Sequence, residues 1–335
     1  MSESPSTQPI VVVCGSTNVD TFTTVSEFPA PGETVIGKRG IQSLGGKGAN
    51  QAAASAHLGN PRGVRTVLLS AVGLEGEDPL SELAIGELKH HGVDVRHVAR
   101  VTEPTGQAFI MNDATGENII VVMSGANETV NPLDYVELLR GDVAAADSEG
   151  QSECAPVGEV KVLLAQGELT PEHSAMLPEL AAAVPDARFV LNLAPVTTTD
   201  SALMAAADPL MVNEIEAADV LGLPRDTPQE ELFAELGKVA KSAVVTLGSQ
   251  GAAIIAPGEQ VQIVPSPPSP EVVDTTGAGD AFAGTFAAAL AAGETMVRAA
   301  QLGACSGSLA TRKNGAAASY ATEAEIRALA EEFFD

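Results

Sequence analysis

Short, nearly continuous apolar runs recur along the chain, and stretches of helical spacing separate them. The runs stand at Val11–Cys14, Val67–Ala71, Val160–Ala165, Phe189–Leu193, Leu210–Val212 and Ala243–Leu247; between them lie Leu80–His90, Pro171–Ala183 and Glu230–Ser242. A run without apolar/polar alternation is suited to a strand buried on both faces, the usual condition inside a parallel sheet. Parallel neighbours need a crossover, and a helix commonly supplies it. The alternation therefore predicts an α/β fold, a doubly wound, mostly parallel sheet flanked by helices. The 335 residues suffice for one large domain of this kind or two small ones.

Two stretches break the rhythm. Thr21–Ser43 and Gln107–Met123 carry β-type residues and turn glycines without a helical period, which predicts a small separate sheet; Asp113-Ala114-Thr115-Gly116 supplies a hairpin turn in the second. Beside the strand ends such a sheet could be a lid or an ordinary edge hairpin. Residues 1–9 read as a disordered tail without the features of a signal peptide, 141–159 as an acidic exposed excursion, and Pro265–Pro270 as a stiff connector. Glu323–Phe334 has the spacing of a packing helix. No apolar run reaches the length of a transmembrane helix.

Cys14, Cys154 and Cys305 are too scattered to suggest a zinc site or a disulfide framework, which favours a reducing cytosol. His57, His90, His91, His97 and His173 show no metal-like or triad-like spacing. A net charge of -26 with 18 basic residues opposes attraction to nucleic acid or anionic membrane. Any anion site must place its positive groups locally.

Three segments carry chemistry. Asp274-Thr275-Thr276-Gly277-Ala278-Gly279-Asp280 sets glycines and a carboxylate before an apolar helical run, so a helix starting near Asp280 would aim free N–H groups at an anion; the tetrapeptide GAGD alone serves equally as an Asp-capped helix start. Gly45-Gly46-Lys47-Gly48 leads into a small-residue helix at 49–56, with Lys47 and Asn50 one turn apart, but lacks the spacing of a Walker loop. Ser16-Thr17-Asn18-Val19-Asp20 follows the first strand, where open α/β sheets bind ligands. An amide and a carboxylate on alternate positions suit adjacent sugar hydroxyls, although Asx-turn roles would explain them as well.

Together these segments resemble the PfkB sugar kinases, and in particular their ribokinase branch. GGKGANQA at 45–52 and DTTGAGDAF at 274–282 match the two signatures of that family; SxNxD at 16–20, PGE at 31–33, NLAP at 192–195, NEIEA at 213–217, TLGSQG at 246–251 and TRKNGAAAS at 311–319 extend the likeness over nearly the whole chain. The resemblance implies a ribokinase-like fold with a small β-sheet lid, formed by about 21–43 and 107–123 within a domain spanning 10–335. It also implies ATP-dependent phosphorylation of D-ribose at its 5-hydroxyl. Asp280 would be the base, and the amides of Gly277, Ala278 and Gly279 an anion hole. Asn18, Asp20, Gly46, Lys47, Asn50 and Glu168 would hold the sugar. Asn213, Thr246, Gly248, Gly251 and Gly279 would hold the nucleotide, and Glu216 would order Mg2+ or another divalent cation through water.

Asp274 and Thr276 with Arg312, Gly315 and Ser319 would surround K+. There the chain departs from the usual TRxGAxxS run, because Asn314 stands as an extra residue before Gly315. A cytoplasmic homodimer paired through its lids is implied as well. Within the family, deoxyribose, fructose or a nucleoside such as adenosine are rival substrates, and a noncatalytic sugar-binding protein would use the same fold.

Overall fold

Nine strands form one sheet in the order β13-β12-β11-β10-β9-β8-β1-β4-β5. The computed structural model describes residues 8–113, 117–141 and 159–335. Strands β1 (Pro9–Cys14), β4 (Arg65–Gly73), β5 (Val98–Val101), β8 (Glu159–Gln166), β9 (Arg188–Asn192), β10 (Leu210–Asn213) and β11 (Ala243–Thr246) all run parallel to one another. Strand β12 (Ala252–Ile255) runs against both β11 and β13 (Gln262–Val264). The order reverses between β1 and β8, so a crevice opens at their carboxyl ends. Of the tail expected over residues 1–9, residues 1–7 lie outside the described residues. Pro9 instead opens β1, at a strand start where a missing N–H is tolerated.

The near-continuous runs are apolar because both faces of the sheet are covered. Val11 and Val13 of β1 join a core shared with helices α1 (Lys47–Gly59) and α2 (Pro79–His90), while Ile10, Val12 and Cys14 enter the core on the other face. Short helices α3 (Val136–Arg140), α4 (Pro171–Ser174), α5 (Leu177–Ala182) and α6 (Ser201–Ala206) precede α7 (Glu214–Leu221) and α8 (Gln229–Val239) on that second side. The first side is completed by α9 (Ala278–Ala291), α10 (Met296–Ala310) and α11 (Glu323–Phe334).

The helix expected over Pro171–Ala183 is broken into α4 and α5. Pro178 stands in the first turn of α5, where its ring and missing N–H prevent continuation from the preceding turn. The helix expected over Glu230–Ser242 ends at Val239, because Ala240 turns extended to enter β11. The helix expected over 49–56 extends in both directions to become α1.

A second sheet has the order β3-β2-β6-β7, from β2 (Asn18–Thr24), β3 (Lys38–Gly45), β6 (Gly106–Asn112) and β7 (Asn118–Met123). It begins and ends beyond the limits of 21–43, so Asn18 and Asp20 lie on its first strand rather than in a loop. Residues 114–116 of the expected hairpin turn and 142–158 of the acidic excursion, Cys154 included, lie outside the described residues. The histidines are closer than their spacing suggests: His57 and His91 stand 2.9 Å apart through Nε2 and Nδ1, with His57 Nδ1 3.2 Å from the Ala321 carbonyl oxygen. They link helix ends, and no metal-holding group of side chains occurs among the described residues.

Candidate active site

Leaving β1, the chain turns through Gly15, Ser16 and Thr17 into β2, which places Asn18 and Asp20 on one face of the small sheet. Both are buried, at 4% and 9% exposure. Asn18 Oδ1 accepts from Asn127 Nδ2 at 2.7 Å, and Asn127 Oδ1 accepts the Thr17 N–H at 2.7 Å. The Asn18 amide nitrogen takes no acceptor among the described residues and can donate to a ligand. Burial, and after it the charges of Glu168 and Asp280, push the Asp20 carboxyl up to about 7.

Gly46 enters α1 with φ 84, and a Cβ there would stand 2.8 Å from the Asn18 nitrogen. The residue must be glycine for the two turns to meet. The first N–H of α1, from Lys47, donates to Glu168 Oε2 at 2.9 Å, and Ser16 Oγ donates to the same oxygen at 2.5 Å. A helix N-terminus thereby holds the carboxylate that follows β8. The Lys47 ammonium is held above its ordinary range by Asp280 first, against burial, with Glu168 and Glu216 adding to the effect.

Gly277 has φ 75 at the cap of α9, and a Cβ there would lie 2.7 Å from Ala316. Its conformation starts α9 with Asp280 in the first turn. The Ala278 N–H reaches the Thr275 carbonyl at 3.2 Å, whereas the N–H groups of Gly277 and Gly279 take no acceptor among the described residues. The Asp280 carboxylate is 7% exposed, and each of its oxygens accepts an amide: Oδ1 from Gln51 Nε2 at 2.9 Å, Oδ2 from Asn50 Nδ2 at 3.2 Å. Asn50 Oδ1 is buried without a partner among the described residues and can accept from a ligand hydroxyl.

Beyond the α9 turn lies a cavity of about 770 Å³. Asn213, Thr246, Gly248, Gly251, Ala278 and Gly279 all line it. Asn213 and Glu216 form a capping box at the start of α7: the Glu216 N–H donates to Asn213 Oδ1, and the Asn213 N–H to Glu216 Oε2, each at 2.8 Å. Burial raises the pKa of Glu216, opposed by the Asn213 N–H and Lys47. The loops expected to flank K+ meet directly. Asp274 Oδ1 accepts the Thr276 N–H and Oδ2 the Gly315 N–H, both at 2.9 Å, so the extra Asn314 does not keep them apart. Ser319 Oγ donates to the Ala316 carbonyl at 2.7 Å. Arg312 is itself cationic, so its main-chain carbonyl is the group suited to face a cation.

Sequence reasoning gave no role to Ser16, Gln51, Asn127, Gln166 or Asn192, all of which support these groups. Gln51 and Asn192 lie within GGKGANQA and NLAP, so position in a motif was the available signal. Asn127 and Gln166 had none. Tyr320 is also additional: buried beneath Gly277, its hydroxyl has no partner among the described residues.

The profile of the pfkB family carbohydrate kinase matches residues 8–323. A ribokinase of Arabidopsis thaliana is 31% identical over 315 residues, 92% of this chain and 77% of that protein. A ribokinase of Bacillus subtilis is 31% identical over 329 residues, 95% of this chain and 98% of the relative. The structure of Arabidopsis thaliana ribokinase complexed with ribose and ATP aligns with a TM-score of 0.81 at 29% identity, covering 97% of this chain and 99% of that one.

Proposed function

Because the chain belongs to the pfkB family of carbohydrate kinases, we propose that it is a ribokinase, transferring the γ-phosphate of ATP to the 5-hydroxyl of D-ribose. The observation that carries this reading is the Asp280 carboxylate, held by Gln51 and Asn50 where the α9 turn separates the 770 Å³ cavity from Asn18, Asp20 and Lys47. ATP occupies the cavity. Ribose hydroxyls donate to Asp20 and Glu168 and accept from Asn18 and Lys47, with Gly46 giving the backbone close approach. Asp280 takes the proton of the attacking hydroxyl. The Gly277–Gly279 turn, with the first turn of α9, offers N–H groups to the transferred phosphoryl group.

Glu216 fits Mg2+ through water, because the capping box engages Oε2 and leaves Oε1. The ion, when bound, neutralises phosphate charge. Oxygens of Asp274, Thr276, Arg312, Gly315 and Ser319 fit K+, which would steady the loop that carries the anion hole. The small sheet closes over the sugar and excludes water. All of β7 is exposed, and we propose that this sheet also pairs with that of a second copy. Cys14 and Cys305 are free thiols, consistent with a cytoplasmic setting.

A recess of about 350 Å³ borders Asn18 and Glu168 and favours testing sugars with an added group. The experiment is ATP-dependent turnover of ribose, 2-deoxyribose, fructose and adenosine, with and without K+. Ribose should have the highest kcat/KM. Preference for adenosine would transfer the reading to a nucleoside kinase, and no turnover of any sugar would remove it.

A further inference from the structure

Gln51 is fully buried and has no place in a ligand-facing surface, yet it makes a bond to Asp280 that the proposed chemistry leaves unexplained. Its side chain joins four elements. Nε2 donates one hydrogen to Asp280 Oδ1 at 2.9 Å and the other to Asn192 Oδ1 at 2.7 Å, while Oε1 accepts from Gln166 Nε2 at 2.9 Å. Asn192 in turn donates from Nδ2 to the Met211 carbonyl at 3.2 Å.

The direction of this chain is fixed at its far end. A main-chain carbonyl can only accept, so Asn192 must present its NH2 to Met211 and its oxygen to Gln51. Gln51 must then present its own NH2, and the second hydrogen of that group is left for Asp280. Gln166 Nε2 donates to Gln51 Oε1, in keeping with that direction. The main chain of β10 thus determines, through two amides, that Asp280 Oδ1 receives a donor. A donor at that oxygen fixes the plane of the group.

We propose that Gln51 is a positioning residue for the base: it holds Asp280 turned so that a free lone pair meets the attacking hydroxyl. This rests on the reading of Asp280 as base. Gln51 does not touch the substrate, so its removal should spare binding and slow the chemical step. Misplacing a catalytic group by about 1 Å can cost on the order of 100-fold in rate.

The test compares wild-type protein with Gln51→Met, close in volume and unable to donate, and with Asn192→Leu, which leaves Gln51 in place but frees its amide to turn. Turnover of ribose with ATP is measured over a range of both substrates, alongside thermal unfolding. The wild-type protein reports on the function itself; if it is inactive, the reading of Asp280 fails before that of Gln51 is reached. For Gln51→Met a kcat loss of about 10- to 100-fold is expected, with both KM values within about threefold. Asn192→Leu should lower kcat in the same way by less. Folded variants that keep the wild-type kcat, or that change KM alone, would overturn the proposal. If Gln51→Met fails to fold, the Asn192→Leu kinetics decide by the same criteria.

Discussion

Asp20 titrates at an unusual place for a carboxylate, since burial and two neighbouring acids lift it to about 7. Its folded value lies above the unfolded one, so the associated stability is complete below about pH 4 and is lost as pH rises through about 7. Asp20→Asn should therefore raise the unfolding free energy by on the order of 2–4 kcal/mol at pH 8. The gain should vanish toward pH 4. Denaturant titrations at the two pH values check this, and an equal gain at both would contradict it. For the proposed sugar, donation of hydroxyls to Asp20 requires the ionised form, so ribose KM should climb as pH falls below about 7. A KM flat from pH 8 to 5.5 would remove Asp20 from binding. Asn18, Asp20, Lys47, Asn50 and Asp280 were legible because each sits in a short motif whose residue types have a chemical reason. Gln166 and Asn127 were not, because they bond across 115 and 110 residues, and no local pattern encodes such pairs.

Elements place these side chains through their ends. Strands β1, β8, β9, β10 and β11 deliver site residues at or just after their carboxyl ends, while α1 and α9 bring their first turns to the same crevice. The buried parallel strands were legible as apolar runs, and α11 as a helical period. The β12–β13 edge was not, since its strands have four and three residues and lie among turn glycines. The break between α4 and α5 could have been read from Pro178. The α9 turn depends on one backbone conformation: Gly277 has φ 75, and its Cα faces Ala316 without room for a methyl group. Gly277→Ala should lower kcat at least about tenfold and reduce stability by about 1–2 kcal/mol. Kinetics and melting of that variant together check the prediction; loss of stability with unchanged kcat would leave the turn a structural role alone.

At the scale of the whole molecule, a charge of -26 surrounds a site proposed to receive a polyanion, so the attraction must come from Lys47, bound cations and the first turn of α9. The same charge makes the bare apolar strand β7 more notable. Val121→Lys, on its exposed surface, should shift the proposed dimer toward monomer in sedimentation, and an unchanged mass would argue against pairing through β7. In the proposed reaction ribose and the γ-phosphate converge on a single carboxylate, Asp280. Its most direct test is ATP binding and ribose turnover by Asp280→Asn beside the wild-type protein. Ribose 5-phosphate is expected from the wild type, and from the variant a kcat lower by at least about 100-fold with ATP affinity retained; near-normal turnover by the variant would remove Asp280 from the role of base.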